Sequence, residues 1–354
     1  MKTKLSFHLP IFLLSLFGLV AVFSLIPQRL LAQLLFLIIG FGFYFYFQNQ
    51  DSALFVNLGP YLYLLALFLL VFTLIFGQHI RGSVRWLTFG SFRFQASELV
   101  KPLLILSYAN FMTRWPPTKL RHILINILLG ALPIGLIFLE PDLGTAIIHF
   151  LIWFTMLFLA GLPVFFLFFF FLIFVIFGGL APHLLQPYQL ERLMTFLEPQ
   201  RDPLGAGYNV IQAMITVGSG KFWGQGLGRG TQAQLHFLPE RHTDFVFASL
   251  AEEFGFLGVI ALMGSFVWLL FNLLNLSRHQ LNSAYQLVIG GIFAYLFSQA
   301  SLNLAMNLGL APVTGVTLPL ISYGGSSLLA TLISLGIAAS IMNKIHAQAD
   351  LEIK

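Results

Sequence analysis

The sequence contains no cysteine, which excludes disulfides, cysteine zinc sites, iron–sulfur clusters and thiol catalysis and leaves no redox evidence about compartment. Charge is almost as scarce. Only 9% of the 354 residues are Asp, Glu, Lys or Arg, against about a quarter in a soluble globular domain. So few charges cannot cover a water-facing surface of that size. The charge present is spread thinly: 18 Lys and Arg against 13 Asp and Glu give a net +5, without the dense basic face that nucleic-acid binding requires, so nucleic acid is not an expected partner. What abounds is apolar. Hydrophobic residues make up 58% and mean hydropathy is +0.88, so the expected solvent is a bilayer and membrane lipids are expected partners.

Apolar stretches of about 17–25 residues are long enough to cross a hydrocarbon core roughly 30 Å thick. Ten meet that rule: Leu9–Ile26, Leu30–Phe47, Leu54–Phe76, Ala96–Thr113, His122–Leu139, Leu143–Ala160, Pro163–Ala181, Thr243–Leu273, Ala284–Leu308 and Ser326–Asn343. The expected fold is therefore an all-α polytopic membrane protein with ten transmembrane helices. It reads as a single integral membrane domain over residues 1–354, with one long extracytoplasmic loop, about 182–242, between helices seven and eight. The fourth stretch is the least apolar, since it holds Glu98, Lys101 and Pro102.

Lys2 and Lys4 precede the first apolar run and no small-residue cleavage site follows it, the pattern of an uncleaved signal anchor with a cytoplasmic amino terminus. In that orientation Lys2, Lys4, Arg114, Lys119, Arg121, Arg278, Lys344 and Lys354 lie inside, against Arg29, Arg81, Arg85 and Arg93 in short outer connections, as the positive-inside bias requires. Ten crossings put both termini in the cytoplasm. The outer connections then collect Arg81, Arg85, Arg93, Glu140 and Asp142, with Glu98 and Lys101 just inside the fourth helix. Costly residues gathered at one side of a membrane are by default a site hypothesis.

The long loop is rich in Gly and Pro yet carries Tyr208, Ile211, Met214, Ile215, Val217, Phe222 and Trp223, which argues against disorder; Asn209–Val217 reads as a short amphipathic helix on the membrane. The Phe-rich stretch 165–177 is a lipid-facing surface. Gly218 to Gly230 matches no nucleotide-loop motif. Two readings remain for it: a backbone cradle for phosphate aided by Lys221 and Arg229, or a tight loop against the membrane. Glu98 and Lys101, three apart on a helix, can pair, either as structure or as a cavity lining. In Glu240-Arg-His-Thr-Asp244, Thr243 or Asp244 can cap the helix that follows. An ionised Asp244 flanked by Glu240 and His242 can also act as a base or hold a divalent ion. Glu252 and Glu253 cannot both face lipid, so at least Glu252 is expected to point into a polar interior.

Six segments together resemble one family. They are Arg81-Gly-Ser-Val-Arg-Trp-Leu with Phe94-Gln-Ala-Ser-Glu-Leu-Val-Lys101, Glu140-Pro-Asp-Leu-Gly-Thr145, Phe237-Leu-Pro-Glu-Arg-His-Thr-Asp-Phe245, Ala251-Glu-Glu-Phe-Gly255 and Pro319-Leu-Ile-Ser-Tyr-Gly-Gly-Ser-Ser327. They resemble the SEDS family (shape, elongation, division and sporulation) from about residue 80 to 343, and the loop sequences Phe196–Asn209 and Gly230–Arg241 are more similar to its elongation members than to its division members. Two departures stand out: Glu140 where Gln is common, adding an outer charge, and Ala96 where Pro is common.

The resemblance implies a peptidoglycan glycosyltransferase that polymerises lipid II outside the bacterial cytoplasmic membrane during cell elongation, with a class B penicillin-binding protein transpeptidase and other elongation-complex proteins as partners. It puts the family's essential aspartate on Asp244 and its fourth-helix Glu and Lys on Glu98 and Lys101. The transfer needs a base for the attacking sugar hydroxyl and positive charge for the departing pyrophosphate. Asp244 is the expected base. Arg81, Arg85 and Lys101 are candidates for the charge, and Glu98, Glu240 and His242 are further substrate-binding candidates. A divalent cation, Mg or Mn, is a cofactor candidate with no assigned ligands. The alternatives are a flippase of lipid II or another polyprenyl-linked sugar, the division-type member of the family, and a scaffold for a wall-building complex.

Overall fold

A computed structural model describes residues 2–80, 83–89, 92–201, 205, 207–278 and 282–352. Its elements in order are α1 (Lys2–Leu25), α2 (Leu30–Gln48), α3 (Ser52–Asn57), α4 (Gly59–Phe76), β1 (Gln78–Ile80), β2 (Ser83–Phe89), β3 (Phe92–Phe94), α5 (Ala96–Arg114), α6 (Leu120–Leu139), α7 (Leu143–Leu159), α8 (Phe165–Leu184), α9 (Pro187–Leu197), α10 (Tyr208–Ser219), α11 (Thr231–Gln234), α12 (Val246–Arg278), α13 (Ser283–Asn307) and α14 (Gly325–Glu352). α1, α2, α4 to α8 and α12 to α14 fall on the ten apolar stretches. Among the described residues, seven helices are long and apolar enough to cross a membrane: α1 from Leu5, α2 with its preceding turn, α4, α6, α12, α13 and α14 up to Ile345. α7 is shorter at 17 residues, and α5 carries Glu98, Lys101 and Arg114. The protein is thus a helical, multi-pass membrane protein.

The chain packs as two compact units. One comprises residues 1–50, 194–276 and 296–354, the other residues 51–193 and 277–295.

In the first unit α2 lies along α14, and small residues bring the backbones together: a Cβ on Gly336 would fall 2.7 Å from the Tyr44 carbonyl oxygen. Close backbone approach through glycine is the usual means of packing helices where lipid gives no hydrophobic incentive. α12 is interrupted at Gly255, whose φ of 64° and ψ of −163° leave the helical region. The break frees backbone groups that would otherwise pair four residues apart. The glycine-rich loop takes them up: Gln225 N–H donates to the Glu252 carbonyl at 2.9 Å, Gly226 N–H to the Glu253 carbonyl at 3.0 Å, and Phe256 N–H to the Lys221 carbonyl at 2.9 Å. Gly224 sits at φ 78° with its Cα against the backbone of Glu253 and Phe254, which explains why only glycine fits there. Of the two readings of this loop, the tight structural turn describes it: the amides of Gln225, Gly226 and Gly228 are already occupied.

In the second unit α4 packs on α5 and α6 on α7, with buried amides and indoles tying helix to helix. Asn110 Nδ2 donates to the Val56 carbonyl at 2.8 Å, Asn126 Nδ2 to the Trp115 carbonyl at 2.8 Å, and Trp153 Nε1 to the Asn126 carbonyl at 3.0 Å. Between α4 and α5 the chain forms a three-stranded antiparallel sheet in the order β1-β2-β3, with Gln78 opposite Trp86 and Leu87 opposite Phe94. This sheet departs from the expected all-helical chain. Ser83-Val-Arg-Trp alternates polar and apolar side chains with the period of a strand, but Trp86 and Leu87 are both apolar and break the alternation. The long connection after α8 holds more helix than expected as well: α10 extends the anticipated Asn209–Val217 helix, and α9 and α11 accompany it.

Candidate functional site

The expected site residues fall in two clusters, one in each unit. Arg81 lies outside the described residues.

In the second unit α5 starts after the sheet and buries one side chain after another. Lys101 is fully buried; its Nζ donates to Glu98 Oε1 at 2.7 Å and lies 4.8 Å from the ring centroid of Tyr295. The other carboxylate oxygen of Glu98, Oε2, is buried without a hydrogen-bond partner. Asp142 caps α7, accepting the Thr145 N–H at 3.2 Å. It also accepts Gln95 Nε2 at 2.9 Å and pairs with Arg85 of β2 at 3.5 Å. His149, nearly two turns into α7, has Nε2 3.0 Å from the Ser97 carbonyl. The sheet therefore positions Arg85, and the start of α5 and the start of α7 meet through Gln95 and Ser97.

Glu140, in the connection between α6 and α7, is not the outer charge its type implies. It is fully buried and both carboxyl oxygens lack a hydrogen-bond partner. Burial pushes its pKa up to about 9, with the negative charge of Asp142 adding to the rise and Arg85 opposing it. At neutral pH it is a neutral acid, sterically close to the Gln common at this position in the family. The folded value lies above the ordinary 4.5, so the folded chain keeps a proton that the unfolded chain releases, and stability falls as pH rises from about 4.5 to about 9. Glu140→Gln is expected to remove that slope. Thermal unfolding in detergent should give nearly equal midpoints for parent and variant near pH 5 and a midpoint several degrees higher for the variant at pH 8; equal midpoints at both pH values would show that Glu140 ionises freely.

In the first unit the segment Glu240 to Phe245 is a tight turn leading into α12. Glu240 takes a positive φ of 49°, and its carbonyl accepts the N–H groups of Thr243, Asp244 and Phe245 at 3.1, 3.1 and 3.2 Å. The carbonyls that follow are each gripped. Ser249 Oγ donates to that of Arg241 at 3.2 Å, Tyr323 N–H to that of His242 at 2.9 Å, and Ser322 Oγ to that of Thr243 at 2.6 Å. Asn303 and Asn307 Nδ2 donate to the Asp244 carbonyl at 2.9 and 3.0 Å. The backbone around Asp244 is thus pinned while its side chain stays partly exposed. Beneath it Ala213, Leu238, Phe245 and Ala248 form a small apolar core. Beside it an open cleft of about 590 Å³ is lined by Ser24, Gln28, Gln234, His236, Glu240, Arg241 and His242, among others. Arg241 Nη2 lies 3.1 Å from both the Leu25 carbonyl and His236 Nε2. Burial lowers the His242 pKa from its usual 6.5, the Glu240 carboxylate opposing and Arg241 and Arg29 reinforcing the drop, so the imidazole is neutral at pH 7.

Glu252 and Glu253 point into a polar interior, as expected, and there they anchor the long connection. Glu252 is fully buried and accepts the N–H groups of Gln232 and Ala233 at 2.9 and 3.0 Å, a carboxylate at the start of α11. Glu253 accepts Gly228 N–H at 3.2 Å, Gln234 Nε2 at 3.2 Å and the Ser24 hydroxyl.

The sequence reading missed the amides of α13. Gln299, Asn303 and Asn307 recur every four residues on one face of an apolar helix and are all fully buried. Gln299 Nε2 donates to the Thr317 carbonyl at 3.0 Å and Asn303 Nδ2 to the Val316 carbonyl at 2.7 Å, so the three tie the 313–327 segment and the Asp244 turn to one helix. Polar side chains spaced by four in a span were the available signal. Among the described residues no group of three or more His, Asp or Glu side chains converges as a metal site.

The sequence profile of a cell cycle protein family, FtsW/RodA/SpoVE, matches residues 6–347. The peptidoglycan glycosyltransferase MrdB of Escherichia coli is 40% identical over 287 residues, 80% of this chain and 77% of that protein. A probable peptidoglycan glycosyltransferase FtsW of Pseudoalteromonas translucida is 36% identical over 314 residues, 86% of this chain and 77% of that one. Among solved structures, a chain from a peptidoglycan synthase complex that coordinates polymerization and crosslinking superposes with a TM-score of 0.83 at 33% identity, covering 96% of this chain and 97% of that chain. The rod shape determining protein RodA of Thermus thermophilus superposes with a TM-score of 0.72 at 30% identity, covering 96% of each chain.

Proposed function

The chain belongs to the FtsW/RodA/SpoVE family of cell cycle proteins, and from that membership we propose that it is a peptidoglycan glycosyltransferase of the elongation type, polymerising lipid II into glycan strands at the outer face of the bacterial cytoplasmic membrane. Its termini are then cytoplasmic. The observation that carries the catalytic reading is the turn at Asp244: four consecutive carbonyls, 241 to 244, held by groups from α12, α13 and the 313–327 segment, with the partly exposed Asp244 at the end of the run. Such fixing from all sides is what pre-organisation of a reacting group requires.

In the reaction the 4-hydroxyl of the acceptor sugar attacks the anomeric carbon of the donor. The C–O bond to the polyprenyl pyrophosphate breaks, and the hydroxyl proton passes to the Asp244 carboxylate. A single displacement inverts the anomeric centre. Arg81, Arg85 and Lys101 supply positive charge toward the pyrophosphate, and Glu98, Glu240 and the neutral His242 bind the substrate. A magnesium-type ion is often held by one or two carboxylates together with substrate phosphates; Asp244 or Glu240 fits that pattern, and the ion would offset pyrophosphate charge. A class B penicillin-binding protein transpeptidase is the proposed partner for crosslinking the product, with other elongation-complex proteins around it. The division role of the FtsW relatives is the nearest alternative.

The test is polymer formation from purified lipid II by the reconstituted protein, alone and with that partner. Glycan strands are expected. Passage of intact lipid II across the bilayer without any polymer would replace the transferase with a flippase.

A further inference from the structure

Asn307 occupies an unusual place in the backbone of α12. Its Nδ2 donates to the Asp244 carbonyl at 3.0 Å while its Oδ1 accepts the Ala248 N–H at 3.0 Å. Those two backbone groups are four residues apart, the pair that would bond directly to each other in a continuing α-helix. The carboxamide has been inserted in place of that bond, acting as a peptide group borrowed from α13. Asn303 supports it with a second donor to the same Asp244 carbonyl at 2.9 Å, and both Asn side chains are fully buried. A buried amide is costly unless satisfied, and an apolar side chain would fill the space as well. The chemistry specific to Asn is a donor and an acceptor on one planar group, and here each meets one half of the interrupted helix bond.

We propose that Asn307, seconded by Asn303, is a positioning residue for Asp244: it keeps the direct helix bond open, so that α12 starts at Val246 and the carboxylate is presented ahead of the helix instead of being wound into its first turn. The inference rests on the reading of Asp244 as the base. Loss of the carboxamide lets the Asp244 carbonyl and Ala248 N–H close on each other, which turns the Asp244 Cα and swings the carboxylate away from the acceptor hydroxyl.

The experiment is steady-state polymerisation of lipid II by full-length Asn307→Ala and Asn303→Ala proteins, reconstituted as the parent is, with Asp244→Asn alongside and thermal unfolding of each. For Asn307→Ala, kcat is expected to fall about 10- to 100-fold, the scale of a misplacement near 1 Å, while KM for lipid II changes by less than about twofold. Asn303→Ala, which keeps the inserted carboxamide, is expected to show the same split with a smaller fall, and carries the test should Asn307→Ala not fold. In the Asp244→Asn background neither change is expected to cost further rate. A purely structural role would lower the folded fraction and leave the kcat of folded protein intact; that result, with Asp244→Asn inactive, overturns the positioning role alone. Normal polymerisation by Asp244→Asn would instead remove the base reading itself.

Discussion

Asp244→Asn is expected to abolish polymerisation by the purified protein, with a rate loss of about 10²–10⁴-fold, the usual contribution of a positioned general base. The substitution is nearly isosteric, and the groups that hold this turn reach its backbone: the grips of Asn303 and Asn307 on the Asp244 carbonyl and of Ser322 on the Thr243 carbonyl do not depend on the side chain. The unfolding midpoint and the affinity for lipid II should therefore stay near those of the parent while kcat collapses. Glu240, four residues earlier in the same turn, offers no ready replacement, because its carboxylate is engaged with the Thr243 hydroxyl at 3.2 Å. A well-folded Asp244→Asn protein that makes strands at the parental rate would take the proton-accepting role away from this residue.

The second large effect is expected at the Glu98–Lys101 pair. With Lys101 fully buried and its ammonium 2.7 Å from Glu98, Lys101→Met strands a carboxylate in the interior, and breaking a buried pair on one side costs about 3–5 kcal/mol. The double variant Glu98→Gln with Lys101→Met removes both charges and is expected to recover most of that stability, since a buried ion pair gains little over apolar or neutral replacements of similar volume. Polymerisation is expected not to recover with it. Thermal unfolding and lipid II turnover on the two single variants and the double variant separate the two roles; a stable double variant with full turnover would leave the pair a packing device.

Much of this architecture is visible in the sequence because a bilayer imposes one strong rule, a long apolar run for each crossing. Helices fall on all ten apolar stretches, and among the described residues seven of them are long and apolar enough to cross. The sheet does not follow from that rule, because β1 and β3 are three residues each and a pattern of period two needs more length to register. The Asp244 turn was legible through its cluster of four ionisable or imidazole side chains, whereas its fixings were not, being amides and hydroxyls from segments 60 to 80 residues further along. Glu140 shows the opposite error. Residue type said charge, and only the surroundings, fully buried beside Asp142, reveal an acid that holds its proton.

The exchange of bonds at Gly255 limits how the long connection can move. Its residues 221 to 226 complete the hydrogen bonding of α12 as though they were part of that helix, so lifting them away would strand backbone groups of Glu252, Glu253 and Phe256 at a largely buried break, at a cost of several kcal/mol. A hinge there is disfavoured. Any swinging of the connection to admit a long lipid-linked sugar or release a growing strand must pivot away from residues 221 to 226, and the glycine-rich run works as a weld.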